Sequence, residues 1–181
     1  MTATLLAVLL AVSAPYTAGA RAPAGPGCGP PSVKFDVKTE KKPKTAPVSR
    51  SGKAIVFFLQ DDLKFGSRPR PTTRFGIDGT WVGATHANSY FFALVDPGEH
   101  HVCANWQSRV ILFSPTRSTA ATHFKAVAGK VYYFRARDIA IFDHPGGALL
   151  YEPEVRLSAL DADEARVLMG SFSYSLSHPK K

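Results

Sequence analysis

Apolar and polar residues alternate with a period of two through much of the chain, the spacing of strands with one buried face. Val33 to Val37 reads Val-Lys-Phe-Asp-Val, which predicts a half-buried strand. Ala54 to Leu59 is instead a continuous apolar run rich in β-formers, Ala-Ile-Val-Phe-Phe-Leu, and predicts a central strand. Arg74 to Ile77 and Thr80 to Gly83 flank Asp78-Gly79, the dipeptide that most readily supplies the positive φ angles of a type I′ turn, so a tight hairpin is expected there. Ser89 to Val95 and His100 to Gln107 flank Asp96-Pro97-Gly98-Glu99 and read as a second hairpin. Its type II turn would have Pro97 fixing the first central φ and Gly98 in the left-handed second position. A third hairpin is expected between Thr122 to Val127 and Val131 to Arg137, across Ala128-Gly129-Lys130. Ile139 to Phe142 and Leu149 to Leu157 lie either side of a loop, His144-Pro145-Gly146-Gly147. Asp161, with Glu164 three residues later, reads as the N-cap of a short helix running to about Met169, and Phe172 to Leu176 as an edge strand. Roughly eight short strands at regular spacing and one short C-terminal helix predict an all-β fold, an antiparallel β-sandwich.

The remaining segments organise the chain around that domain. Leu5 to Val12 is an unbroken apolar run too short to span a bilayer, and Ala18-Gly19-Ala20 follows it as an A-x-A cleavage site, so residues 1–20 read as a signal peptide. Residues 21–52 form a leader with one strand. Its Ala22 to Pro31 stretch holds four Pro and three Gly, which exclude a helix or central strand, and Lys38 to Arg50 is polar and Pro-punctuated. The sandwich is expected over residues 53–176 and a basic tail over 177–181. Gln60 to Thr73, with Arg68-Pro69-Arg70-Pro71, reads as a long loop.

The formal net charge of +8 invites a nucleic-acid reading until its distribution is considered. Arg21 to Arg50 holds seven Lys or Arg against two acids, and Lys180 and Lys181 add two more cations, which leaves the body near neutral. A surface that tracks phosphates concentrates its cations on the folded domain with aromatics interleaved, so no nucleic-acid partner is expected. Cys28 and Cys103 are an even pair far apart in sequence. In an oxidising compartment they read as a disulfide, and closing a loop of about 75 residues stabilises by on the order of 4 kcal/mol in the chain-entropy treatment. Gly25-Pro26-Gly27 before Cys28 is not the Leu-led box of lipoprotein processing.

Candidate chemistry is sparse. His100 and His101 are adjacent, so in a strand they point to opposite faces and cannot share a metal. His101 and Cys103 lie two apart on one face, a spacing at which imidazole and thiolate could hold copper or zinc, with His123 a third ligand if its strand lies alongside; a Cys28–Cys103 bond removes Cys103 from that set. The alternation places Val102, Ala104 and Trp106 inward and His101, Cys103 and Asn105 outward, so the disulfide would tie the leader across the outside of that strand. Trp81, Tyr90 and Trp106 are the aromatics able to form a stacking platform. Trp81, just after a tight turn, is the residue expected to contact a partner. Asp61 and Asp62 with Arg68 to Arg74 are the charges a hydrolase could use, but neither G-x-S-x-G nor H-E-x-x-H nor a phosphate loop occurs, and no catalytic residue or cofactor is assigned.

The order Gly79-Thr-Trp81-Val-Gly83, Ser89-Tyr90-Phe91-Phe92, Pro97-Gly98-Glu99-His100-His101 and Gly129-Lys130-Val131-Tyr132-Tyr133 resembles domain-of-unknown-function family 2846 and, more distantly, PEGA-like surface modules. The likeness runs from about Lys53 to Met169 and rests on turn motifs. It implies an exported or envelope-associated bacterial β-sandwich without an assigned activity, and it carries over no site residue. The expectation is a non-enzymatic envelope or secreted module, periplasmic or beyond, that binds a protein or glycan partner and keeps no transmembrane segment after signal cleavage. The alternatives are a periplasmic metal-binding protein and, more remotely, a hydrolase.

Overall fold

The computed structural model describes residues 28–41, 52–62, 70–107, 118–141 and 152–181. Ten strands and one helix are described. They are β1 (Phe35–Glu40), β2 (Ala54–Asp61), β3 (Thr72–Ile77), β4 (Thr80–His86), β5 (Ser89–Val95), β6 (Gly98–Trp106), β7 (Thr119–Ala126), β8 (Val131–Ile141), β9 (Glu152–Ala159), α1 (Ala162–Ser171) and β10 (Ser173–Pro179). A six-stranded sheet has the order β1-β10-β5-β2-β8-β9, and a four-stranded sheet the order β4-β3-β6-β7. The fold is thus the expected all-β sandwich with one short helix near the C-terminus, but with ten described strands rather than about eight, and with two parallel pairs, β2–β8 and β5–β10, where antiparallel pairing was expected throughout. No helix among the described residues is long and apolar enough to cross a membrane.

The continuous apolar run of β2 is central, because every residue of it is buried. Its inward side chains fill the core: between ring centroids Phe58 lies 5.0 Å from Phe75 of the other sheet, and 5.3 Å from Phe91 and 6.2 Å from Phe134 of its own sheet. Its outward side chains are covered as well. Phe57 stacks on Tyr133 at 5.3 Å, and α1 lies over this face, where the outward Arg135 of β8 meets Glu164 of the helix. Two apolar layers on one strand need two faces without polar alternation, which is why the period of two fails there. Asp161 caps α1 by accepting from the N–H groups of Asp163 and Glu164, and these bonds lower its pKa.

Asp78-Gly79 closes the β3–β4 hairpin with φ of 49° and 80°, as the dipeptide dictates. The two other expected hairpins are not hairpins. β5 pairs with β2 and β10 in one sheet while β6 pairs with β3 and β7 in the other, so Asp96-Pro97 carries the chain between sheets. Gly98 has φ 143°, a positive angle that favours glycine but lies far from the roughly +80° of the third residue of a type II turn. β7 and β8 likewise join different sheets across Gly129, and β8 pairs in parallel with β2. The reason is packing. Crossing the core lets Phe91 of β5 face Phe75 of β3 at 5.8 Å, which one shared sheet would not allow.

Ile139 to Phe142 is not a separate strand, since β8 runs unbroken to Ile141 and pairs with β9; residues 142–151, with the expected His144-Pro145-Gly146-Gly147 loop, lie outside the described residues. The last strand is not an edge. β10 runs through Pro179 and is flanked by β5 and by β1, which the leader supplies. The expected signal peptide, residues 1–20, also lies outside the described residues.

Candidate functional site

The part of the outer face of the four-stranded sheet around Arg74, Trp81 and Cys103 is covered by the chain's own leader. Register pairs Gly76 with both Trp81 and Cys103, and Arg74 with Asn105, so these side chains share one face. Cys28 and Cys103 sit at disulfide distance, with Cα atoms 5.2 Å apart, and Cys103 is completely buried beneath the segment that Cys28 begins. Trp81 Nε1 donates to Pro30 O at 2.8 Å, and Gly29 lies so close that a Cβ there would stand 2.6 Å from Trp81 Cδ1. The Arg74 guanidinium donates to Pro31 O at 3.2 Å, to Val33 O and to Asn105 Oδ1, while burial lowers its pKa. Gln107 continues the seam, accepting from Phe35 N at 2.5 Å and donating to Phe35 O at 2.7 Å.

The three aromatics considered as a platform therefore do not converge. Trp81 contacts the leader. Tyr90 is buried on the outer face of the six-stranded sheet, edge-on to Tyr174 at 5.6 Å, and Trp106 points into the core.

His100 and His101 face opposite ways, as strand geometry requires. His100 turns to the sandwich end, with Nδ1 2.6 Å from Asp78 Oδ2 and Nε2 2.7 Å from Asp96 O. Burial opposes its charge, but these contacts outweigh burial and raise its pKa. His101 lies outward, directly across the ladder from His123, with ring centroids 6.3 Å apart.

Asp61 and Asp62 also diverge. Asp62 turns inward to a buried polar cluster at the end where β2, β6 and β8 finish. There Gln60 Nε2 lies 3.0 Å from Asp62 Oδ1, from Pro71 O and from Asp138 Oδ2, while Gln60 Oε1 accepts from Thr85 Oγ1 at 2.8 Å. Trp106 Nε1 donates to Asp138 Oδ1 at 2.8 Å. Burial pushes the pKa of Asp138 well up, and the neighbouring Asp62 charge pushes it further; burial also raises Asp62. The two carboxyl groups are hydrogen-bonded to each other, and burial shifts both toward the protonated form, Asp138 the more strongly. With both residues at 0% exposure, this pair is a sealed part of the core.

Asp61 faces outward to Arg137 at 3.4 Å and Arg135 at 3.9 Å. Arg74 lies under the leader, so Asp61, Asp62 and Arg74 occupy three separate environments, and residues 63–69 of the loop between them, Arg68 included, lie outside the described residues.

Where strand β7 faces β8 and β9, a groove of about 520 Å³ is lined by Arg135, Arg137, Arg156, Thr119 and Ser158 among others. Arg137 and Arg156 each meet a carboxylate through Nε, Asp61 and Glu154 respectively, and their side chains are 34% and 60% exposed. Sequence reasoning passed over these residues. The signal was present in Arg135-Ala136-Arg137, where alternation behind the buried Phe134 sets both guanidinium groups on one face. No protein-family model matches the chain, and no curated protein or solved structure matches it either.

Proposed function

We propose that this chain is an exported, non-enzymatic β-sandwich module of a bacterial cell envelope that binds an acidic glycan in the groove between β7 and β9. The observation that carries the compartment is the Cys28–Cys103 pair at disulfide distance. Such a bond persists in oxidising compartments, and here it fastens a Pro/Gly-rich segment that buries too little apolar surface to hold itself. The apolar run Leu5 to Val12 with Ala18-Gly19-Ala20 points the same way, as does the resemblance of the turn motifs to domain-of-unknown-function family 2846.

The binding half rests on the groove lining. Guanidinium groups present planar forks that suit carboxylates and phosphates, and hydroxyls of Thr119 and Ser158 add neutral donors and acceptors for sugar hydroxyls. The groove is open to solvent along a strand edge, a shape suited to a linear oligomer.

A two-dimensional NMR titration with a short oligogalacturonate tests this reading. Shifts confined to residues 119–121 and 155–158, and lost in the double variant Arg137→Gln/Arg156→Gln, are the expected result. Shifts spread over the basic ends alone, or a response only to an acidic peptide, would contradict it.

A further inference from the structure

We infer that His101 and His123 form a two-imidazole chelate for a divalent transition metal, with Cu²⁺ bound most tightly, on the outer face of the four-stranded sheet. This inference stands apart from the groove and from its ligand.

The antiparallel ladder of β6 and β7 sets the two histidines opposite each other, where Cβ atoms lie about 4.5–5.5 Å apart. Side chains at such a pair leave the sheet on the same side and roughly in parallel, so two rings can turn their nitrogens to one point. A histidine nitrogen binds at about 2.0–2.1 Å, with the ring centre about 1.2 Å behind it, so two rings on one metal have centroids at most about 6.5 Å apart and about 5.2 Å apart at a tetrahedral angle. The observed 6.3 Å lies inside that limit, and both residues are exposed, so a small χ rotation closes the remainder without disturbing the core.

The surroundings fix what kind of site this is. Along the same face, Glu99 and Lys125 pair opposite each other on one side, and Cys103 and Ala121 on the other. Cys103 is joined to Cys28 and so supplies no thiolate, which removes the soft ligand that would select zinc or monovalent copper. Two neutral imidazoles with the other positions open to water favour Cu²⁺ over Ni²⁺ and Zn²⁺ by the general stability order of first-row divalent ions. Open positions also make the metal exchangeable, as in a site that carries or senses metal rather than one that builds the fold.

The test uses untagged protein stripped with chelator and titrated with Cu²⁺ and, separately, Zn²⁺ by calorimetry, with copper EPR on the loaded sample. Wild type should bind one Cu²⁺ per chain more tightly than Zn²⁺, with hyperfine structure from two nitrogens. His101→Gln and His123→Gln should each weaken Cu²⁺ binding at least tenfold, because half the chelate is gone. His178→Gln, an exposed histidine elsewhere, should leave it unchanged. Metal should raise the thermal midpoint of wild type and of neither pair variant, which separates loss of a ligand from loss of the fold. Undiminished binding in both pair variants, or no stoichiometric binding by wild type, overturns the inference.

Discussion

The Arg74 guanidinium lies 4.4 Å from the centre of the Trp81 ring while the same group donates to the carbonyls of Pro31 and Val33. One side chain thus couples the sheet face to the leader lying on it, through a cation–π contact and two charge-assisted hydrogen bonds. Arg74→Lys keeps the charge and loses the planar fork. The substitution should lower stability by about 1–3 kcal/mol, read as a lower urea midpoint at unchanged slope. An unaltered midpoint would mean that the leader is held by the cysteines alone.

Gly29 tests the same contact from the opposite side. A methyl group there would meet three atoms of the Trp81 indole at 2.6–2.9 Å, and the pyrrole side of a packed indole has little room to yield. Gly29→Ala should therefore destabilise by about 1–3 kcal/mol despite a backbone that any residue can adopt. The midpoint of denaturant unfolding, followed by tryptophan fluorescence, checks it. Wild-type stability in this variant would show that Trp81 is free to move away, as a partner-binding residue would be.

The buried pair Asp62–Asp138 makes stability depend on pH in the direction opposite to a salt-bridged carboxylate. The folded pKa of Asp138 is raised, so its contribution is fully present below the unfolded value of about 3.9 and is lost as pH rises through the folded value. Asp138→Asn supplies an amide N–H in place of the acid proton and keeps an oxygen for Trp106 Nε1, with no titration. The stability of wild type minus that of Asp138→Asn should fall as pH rises from 4 into the neutral range, about 1.4 kcal/mol for each unit of pKa difference between the folded and unfolded states. A difference constant with pH would contradict the raised pKa of Asp138.

Much of this arrangement was legible in single residues. The run Ala54 to Leu59 specified a strand buried on both sides, Asp78-Gly79 a two-residue turn, and Asp161 a helix start. The alternation around Cys103 placed that residue outward beside Asn105, where the structure has it under the leader. What could not be read was which sheet each strand joins. Turn residues encode a reversal of direction, and Pro97-Gly98 and Gly129 reverse the chain equally well within a sheet or across the core. Strand order is decided by how Phe58, Phe75, Phe91 and Phe134 fill one space, a property of no local window. The polar cluster was hidden for the same reason. Gln60 and Asp138 are 78 residues apart, and only the parallel pairing of β2 with β8 brings them to one end. The contact of Trp81 with Pro30 was not legible either, because the two residues are 51 apart and the leader meets the sheet only in the folded chain.

Intact mass spectrometry of protein recovered from the periplasm of an expressing bacterium, native and again after reduction under denaturing conditions, tests most directly the proposal that the chain is exported and its leader covalently fastened to the sandwich. A chain beginning near Arg21 that gains two hydrogens on reduction is the expected result, the outcome that cleavage after Ala20 and the opening of one Cys28–Cys103 bond would give. A full-length mass, or a mass that reduction leaves unchanged, would contradict it.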